Sequence, residues 1–370
     1  MTMQRRDMLR HSALAVAAFA FSRESFAREV ITSNGKIWGG SEPGIIKLSS
    51  NENPHGPSPM SRKAMAEAVN GSNRYPWDVT TQLRERIGKE FNVTKEHILI
   101  GAGSSELLGV VSTWAMLQKG NVVAPDPTFR LWMPAARKLG LNIKLVPLTA
   151  TKVTDMQRMK DNIDDVTRLV YICNPANPTG TVIPAADLEA FIKMVAPKSI
   201  ILLDEAYTEF SDEPSMAKMV NDYPNLVVAK TFSKVYGMAG ARVGFVIAHP
   251  QTIKALGELQ AWSNAGASAV SLAGALAAMD DRSFVQFCKT ENAKAKKIFY
   301  TALDKIGIPY IPSVTSFVYF NCEQYKKDFK AQLEANKIIG ARTFEDGTKW
   351  LRLSVGTTNE MSKVAETIKA

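Results

Sequence analysis

Apolar runs that alternate with helix-like segments constrain the fold of this chain more than any other feature. Residues 141–148, 169–173 and 200–203 have the length and side chains of buried strands, and helical spacing separates such runs, as at residues 185–195. Parallel strands need crossovers of this kind, so the pattern predicts a mostly parallel sheet with helices on both faces. Ligands bind such sheets at the carboxyl ends of the strands.

The length of the chain sets the predicted domain organisation. It has 370 residues, of which 45% are hydrophobic, enough for one large domain and one smaller one. We therefore predict an α/β fold, with a large domain that holds the parallel sheet and a smaller C-terminal α/β domain. The predicted boundaries are 1–27 for a signal peptide, 28–70 for an N-terminal arm that joins the small domain, 71–262 for the large domain and 263–370 for the small domain.

Lys234 follows the apolar run 225–230, which reads as a short buried strand. Burial at a strand end would lower the pKa of its amine, and a neutral amine is a nucleophile that can form a Schiff base. The hydroxyl groups of Thr231 and Ser233, together with Arg242, suit a phosphate monoester. Taken alone, the pattern has a simpler explanation, a lysine held in solvent at a strand exit.

A glycine-rich turn offers a second place for an anion. Residues 97–100 read as a strand, and residues 101–106 then lead into a helix that we predict over 106–117. Backbone N–H groups at a helix start bind anions well when small residues precede it. Such turns are common, so the interpretation depends on its agreement with the rest of the chain.

Three further segments carry a family resemblance. Asn-Pro-Ala-Asn-Pro-Thr-Gly occupies 174–180 after one predicted strand, and Leu-Leu-Asp-Glu-Ala-Tyr at 202–207 ends another. With the Ser233-Lys234 pair and Arg242, these segments resemble the fold-type I pyridoxal-phosphate aminotransferases of classes I and II. The resemblance is strongest to the histidinol-phosphate aminotransferase branch, and it extends from about Leu48 to the C-terminus.

The resemblance implies pyridoxal 5′-phosphate as the cofactor and a set of residues that hold it. Lys234 would carry the cofactor, Asp204 would pair with its pyridine nitrogen and Tyr207 would contact its phenolic oxygen, so these three are the expected catalytic residues. Tyr75 would reach the cofactor phosphate of the other subunit, which implies a homodimer. The remaining expected cofactor contacts are Ala102, Gly103, Ser104, Phe129, Asn177, Thr231, Ser233 and Arg242.

The same resemblance implies a substrate site near the C-terminus. Arg352 resembles the carboxylate-binding arginine of the family, and Arg342 the second anion-binding arginine of the histidinol-phosphate branch. Asn53 and His55 lie in a segment that resembles the substrate gate, where His55 replaces a frequent aromatic residue. The expected substrates are 2-oxoglutarate and an amino acid or an amino-alcohol phosphate such as histidinol phosphate. Histidinol phosphate has no carboxylate, so the arginines would meet its phosphate.

Two other functions remain open at this point. A decarboxylase or lyase resembling threonine-phosphate decarboxylase would keep the same ring contacts, and a catalytically inactive protein could bind the cofactor without turnover. Nucleic-acid binding is disfavoured, because the net charge of +9 is not gathered into a basic stripe with interleaved aromatic residues. The three cysteines have no metal-binding spacing, so no metal is expected.

The first 27 residues have the pattern of a bacterial export signal. Gln4-Arg5-Arg6-Asp7-Met8-Leu9 resembles a twin-arginine motif, an apolar stretch follows at 13–21, and Ser25-Phe26-Ala27 offers a cleavage site. We therefore expect a periplasmic protein with no stable membrane association after cleavage. A periplasmic location argues against histidine biosynthesis as its pathway and favours another amino-acid substrate.

Overall fold

The computed structural model describes residues 44–369. The predicted signal peptide at 1–27 and residues 28–43 of the predicted arm lie outside this range. Within it, none of the helices has the length and apolar content needed to cross a lipid bilayer.

Thirteen strands lie within the described residues. They are β1 Ile46–Lys47, β2 Ile98–Gly101, β3 Asn121–Asp126, β4 Asn142–Pro147, β5 Thr167–Cys173, β6 Ile200–Asp204, β7 Leu226–Thr231, β8 Gly244–Ala248, β9 Tyr310–Ile311, β10 Phe317–Asn321, β11 Ile338–Ile339, β12 Arg342–Thr343 and β13 Trp350–Ser354.

The α-helices of the same range cover both the sheet faces and the C-terminal part of the chain. They are α1 Pro59–Ala68, α2 Trp77–Phe91, α3 Ser104–Met116, α4 Met133–Lys138, α5 Met156–Asp161, α6 Ala185–Val195, α7 Pro250–Gly257, α8 Ala269–Asp280, α9 Arg282–Lys305, α10 Phe329–Ala335 and α11 Thr358–Thr367.

The largest sheet has seven strands in the order β2-β8-β7-β6-β5-β3-β4 within the described residues. The strands from β7 to β4 are mutually parallel, whereas β8 runs antiparallel to both of its neighbours. The parallel part therefore ends its strands at one edge. This edge carries the residues that follow Cys173, Asp204 and Thr231.

Both faces of this sheet are buried, which explains the continuous apolar runs in the sequence. Along β5, Val170 and Ile172 join the core on one face, while Leu169 and Tyr171 join the core on the other. Helices α2, α6 and α8 cover the first face, and α3, α4 and α7 cover the second. The predicted parallel sheet with helices on both faces is confirmed.

A second hydrophobic core lies in the C-terminal part of the chain. Strands β12, β13, β10 and β9 form an antiparallel sheet in that order, and α9 and α11 pack with it around Phe299, Phe320 and Val364. Strand β1 pairs in parallel with β11, so the chain just before the large sheet is tied to this C-terminal part. Helix α8, by contrast, packs on the large sheet.

Local capping explains where several helices begin. Helix α9 starts at Arg282, because the Asp281 side chain accepts the backbone N–H of Phe284. Helix α11 begins with a reciprocal capping box between Thr357 and Glu360.

Candidate active site

A cavity of about 430 Å³ opens at the carboxyl ends of the parallel strands. It combines strand-end residues of the large sheet with residues from the two ends of the described chain. Its walls are formed by Ser50, Asn51, Glu52, Ser104, Ser105, Phe129, Leu131, Cys173, Asn177, Asp204, Ala206, Tyr207, Thr231, Ser233, Lys234, Ala239, Arg242, Arg342, Phe344 and Arg352.

Lys234 presents its amine to this cavity. It follows β7 by three residues, and its Nζ donates to the backbone carbonyl of Ser50 at 3.0 Å. Burial, with a contribution from the nearby positive charge of Arg352, lowers the pKa of the Lys234 amine to about 8. A substantial fraction of the amine is therefore neutral near pH 8, as a nucleophile and a proton acceptor require.

Asp204 is the last residue of β6 and is only 3% exposed. The Tyr171 hydroxyl donates to its Oδ2 at 3.0 Å and the backbone N–H of Ala206 to its Oδ1 at 3.2 Å. Burial raises the pKa of the Asp204 carboxyl to about 6, although these two hydrogen bonds oppose the rise. A buried carboxylate held by uncharged donors on the wall of a cavity suits a cationic N–H group of a ligand.

Tyr207 belongs to a network of amide groups. Its hydroxyl oxygen accepts from Asn51 Nδ2 at 2.8 Å and from Asn177 Nδ2 at 3.5 Å. Burial raises the pKa of Tyr207 above its usual value, so the hydroxyl keeps its proton. Because the oxygen already accepts, the O–H is left to donate into the cavity.

The start of α3 and Arg242 form a cradle. Arg242 Nη2 donates to the Ala102 carbonyl at 3.2 Å and to Ser105 Oγ at 3.1 Å. Gly103 has φ +82°, and a Cβ at this position would collide with the Arg242 guanidinium. The first backbone N–H groups of the helix, beginning at Ser104, have no partners within the helix. An arginine beside the free N–H groups of a helix start is a combination that binds phosphate groups.

The turn before α3 shapes this cradle from within. The backbone N–H of Ala102 donates to Glu106 Oε2 at 2.5 Å, and that of Gly103 to the Gly101 carbonyl at 2.8 Å. These two predicted residues therefore fix the turn, while Ser104 lines the cavity. Ser105 lines it as well and was not singled out from the sequence, although it lies next to the predicted group.

Arg352 on β13 and Arg342 on β12 lie opposite each other in the antiparallel pairing of the two strands. Arg352 is 5% exposed, and its guanidinium lies 4.5 Å from the Phe344 ring centroid. Its Nη1 donates to Asn177 Oδ1 at 2.6 Å, while its Nε is buried without a hydrogen-bond partner among the described residues. Burial lowers the pKa of Arg352 to about 10, so the side chain remains a cation at neutral pH. The unpaired donor fits an anionic ligand.

The remaining predicted residues fall inside and outside the cavity. Phe129 lines it, as do Thr231 and Ser233, whose hydroxyl groups are hydrogen-bonded at 2.9 Å. Tyr75 is 68% exposed and packs against the rings of Trp77 and Trp262, so it does not line the cavity of its own chain.

Asn53 and His55 line a separate, narrow pocket beside Cys288 rather than the main cavity. Asn53 Nδ2 donates to the Val235 carbonyl at 2.8 Å and to Cys288 Sγ at 3.2 Å, so its side chain is turned inward. The His55 ring packs edge-on against Phe287. The neighbouring residues Asn51 and Glu52 reach the cavity instead, and only their place in the same polar segment pointed to them.

These groups together fit pyridoxal phosphate. The cavity holds an amine with a lowered pKa, a buried carboxylate that lacks a cationic hydrogen-bond partner, and a helix-start cradle with an arginine. Within the described residues, no group of three or more His, Cys, Asp or Glu side chains could hold a metal ion. Covalent and electrostatic chemistry on an organic phosphate cofactor is therefore the chemistry that this donor set supports.

Comparison with known proteins agrees with this assignment. Residues 43–368 match the family model described as aminotransferase class I and II, so the chain belongs to that family. It is a transaminase, and its cofactor is pyridoxal phosphate.

Relatives place it nearer to one branch of the family. The chain is 33% identical over 328 residues to the histidinol-phosphate aminotransferase of Symbiobacterium thermophilum, covering 88% of this chain and 90% of that protein. It is 32% identical to the enzyme of the same name from Bacillus velezensis, over 86% of this chain and 89% of that one. The crystal structure of histidinol-phosphate aminotransferase from Sinorhizobium meliloti in complex with pyridoxal-5′-phosphate superposes with a TM-score of 0.81 at 25% identity, covering 87% and 89% of the two chains. The chain is thus a histidinol-phosphate aminotransferase-like enzyme.

Proposed function

We propose that this enzyme transfers an amino group to 2-oxoglutarate from an amino acid or from an amino-alcohol phosphate of the histidinol phosphate type. The buried guanidinium of Arg352, with its unpaired Nε, carries the proposal, because it needs an anion to complete its hydrogen bonds. Arg342 on the adjacent strand offers a second, exposed guanidinium for the other anionic group of a substrate.

The protein residues divide the work around the cofactor. Bound pyridoxal phosphate supplies an electron sink for charge that develops on the substrate carbon. Lys234 would hold the cofactor through its amine and would move a proton at the substrate Cα, a role that its pKa of about 8 permits. Asp204 would keep a proton on the ring nitrogen, and the Tyr207 O–H would donate to the phenolic oxygen. The α3 cradle and Arg242 would hold the phosphate.

A homodimer is part of the proposal. Tyr75, Trp77 and Trp262 form an exposed aromatic cluster with ring centroids 4.9–5.7 Å apart. Exposed aromatic side chains in contact with one another favour a protein partner, and a second copy would bring Tyr75 to the other subunit. We also propose a periplasmic location, which the arginine pair Arg5-Arg6 and the following apolar stretch support.

A substrate panel tests the proposed reaction. We expect purified holoenzyme to form glutamate from 2-oxoglutarate when it is given histidinol phosphate or an amino acid, with matching appearance of the carbonyl product. Release of carbon dioxide without formation of glutamate would instead identify the decarboxylase. An unchanged cofactor absorbance with every amine would identify a binding protein without turnover.

Replacement of Arg352 tests the carboxylate site. We expect Arg352→Lys to raise KM for 2-oxoglutarate roughly 10- to 100-fold, because the planar bidentate contact is lost and a charged hydrogen bond contributes about 1.5–3 kcal/mol. Arg282→Lys is the matched control, since Arg282 pairs with Glu90 on an exposed surface. Steady-state kinetics with varied 2-oxoglutarate give the result. An equal KM in the two variants would remove Arg352 from the substrate site.

A further inference from the structure

We propose that Lys152 and Glu345 are positioning residues, which hold the β12–β13 hairpin against the large sheet and thereby set the place of Arg352 and Phe344 in the cavity. The two residues are 193 positions apart in the chain, and they join the large sheet to the four-stranded sheet. The inference rests on the proposed role of Arg352 in binding a substrate anion.

Lys152 projects from a tight turn that follows β4. Its backbone N–H donates to the Thr149 carbonyl at 2.9 Å, and its φ of +62° is that of a left-handed residue. Its carbonyl accepts from Thr181 Oγ1 at 3.1 Å. The turn is therefore fixed to the loop that carries Asn177, because Thr181 in turn accepts the backbone N–H of Ala176 at 2.8 Å.

The Glu345 carboxylate is the salt-bridge partner of the Lys152 amine. Lys152 Nζ lies 2.8 Å from both Glu345 oxygens, and the Tyr319 hydroxyl donates to Oε1 at 2.5 Å. The same Nζ lies over the Trp350 ring at 4.9 Å. The charged side chains are only 17% and 22% exposed, so water screens this ion pair less than it screens surface pairs.

The ion pair lies next to the residues of the β12–β13 hairpin that line the cavity. Glu345 directly follows Phe344, which lines the cavity and packs 4.5 Å from the Arg352 guanidinium. Arg342 pairs with Arg352 in the same hairpin, and Arg352 bonds Asn177 at 2.6 Å. Lys152 thus contacts, through its side chain, the hairpin that bears Arg352 and, through its backbone, the loop that bears the acceptor of Arg352.

The tip of the hairpin is largely exposed to solvent, although the backbone N–H of Cys322, just after β10, donates to the Lys349 carbonyl at 3.0 Å. Residues 346–349 are exposed, and β12 has only two residues, Arg342 and Thr343, both exposed. Without the Lys152 charge, Glu345 would retain the Tyr319 hydroxyl but lose its link to the large sheet. We expect the hairpin to shift and the anion site to lose its geometry, while the cofactor cradle at α3 is unaffected.

Binding of maleate to the holoenzyme tests the inference without turnover. Maleate is a dicarboxylate that cannot donate an amino group, and calorimetry gives its Kd directly. We expect Lys152→Met and Glu345→Gln each to raise Kd roughly 5- to 20-fold, in line with the loss of a partly buried charge pair. Lys152→Arg should restore it to within about 3-fold, because the charge returns. The cofactor absorbance should be the same in all variants.

A matched ion pair at the opposite edge of the sheet supplies the control. Lys144 lies 2.6 Å from Asp164, near the amino end of β5, so Lys144→Met should leave Kd for maleate unchanged. Unchanged Kd in both Lys152→Met and Glu345→Gln, while Arg352→Lys weakens maleate binding, would overturn the positioning role alone. Unchanged Kd in Arg352→Lys would instead overturn the proposed substrate site on which it rests.

Discussion

Lys234→Ala will lower kcat/KM for transamination roughly 10⁴-fold or more, because one side chain supplies both the covalent attachment and the proton transfer. The amine lies in the cavity with its pKa lowered to about 8, and it donates to the Ser50 carbonyl. No other lysine lines this cavity among the described residues. Steady-state rates over a range of amino donor concentrations give kcat/KM, and the absorbance of the lysine-linked cofactor reports the attachment.

Lys296 provides a control of matched chemistry. Burial also lowers the pKa of this lysine to about 8, but its Nζ donates to the Ser313 carbonyl at 2.6 Å, away from the cavity. Lys296→Met should keep the cofactor absorbance, which shows that a buried amine is not sufficient. A Lys234→Ala variant with near-normal turnover would contradict the assignment of the attachment site.

Asp204→Asn will have opposite effects on activity and on stability. Loss of the carboxylate should lower kcat roughly 10²- to 10³-fold, since the ring nitrogen loses the anion that keeps it protonated. In the cofactor-free protein the pKa of Asp204 is about 6, above the ordinary value of about 3.9. The folded state therefore binds the proton more tightly, and stability is lost as pH rises from about 4 to 6. The Asp204→Asn variant has no carboxyl group to ionise at this position, so it does not lose this stability as the pH rises.

We therefore expect cofactor-free Asp204→Asn to be more stable than the unmodified protein by about 3 kcal/mol near pH 7.5, and by less near pH 4.5. Denaturant unfolding at the two pH values measures the difference. Tyr171 can accept from the new amide, so the hydrogen bond at this position is retained. A loss of stability at the higher pH would contradict the raised pKa of Asp204.

Glu205, the residue next to Asp204, is the control for the predicted direction of the change in stability. Glu205 is equally buried, but Lys230 Nζ lies 3.3 Å from its Oε2 and also contacts Glu209 at 3.0 Å. Glu205→Gln removes one of the two carboxylates that contact Lys230 and should destabilise the protein by about 2 kcal/mol, since Glu209 remains as a partner. Two neighbouring carboxyl groups thus respond in opposite directions, because Glu205 has a cation in direct contact, whereas the hydrogen-bond donors to Asp204 among the described residues are uncharged.

The sequence was sufficient for the sheet and for the residues that end its strands. Apolar runs such as 169–173 contact helices on both faces, so their composition directly reports burial. Asn177, Asp204 and Lys234 follow such runs, and they share one cavity because parallel strands end at one edge. The hydrogen-bond partners of these residues and their shifted pKa values could not be predicted from the sequence in the same way.

Long-range contacts account for what the sequence did not predict. Asn51 reaches Tyr207 across 156 positions, and Phe344 packs on Arg352 only because a hairpin brings them together. Asn53 was expected in the substrate site, but its amide is bound to Val235 and Cys288. No local sequence pattern distinguishes Asn51, which lines the cavity, from Asn53, whose amide bonds Val235 and Cys288 instead.

The most direct test is to map the lysine that carries the cofactor. Holoenzyme is reduced with borohydride, digested and analysed by peptide mass spectrometry, so that the reduced cofactor adduct is assigned to one side chain. We expect the adduct on Lys234, with no adduct in Lys234→Ala. An adduct on another lysine of the unmodified protein, with Lys234 unmodified, would contradict it.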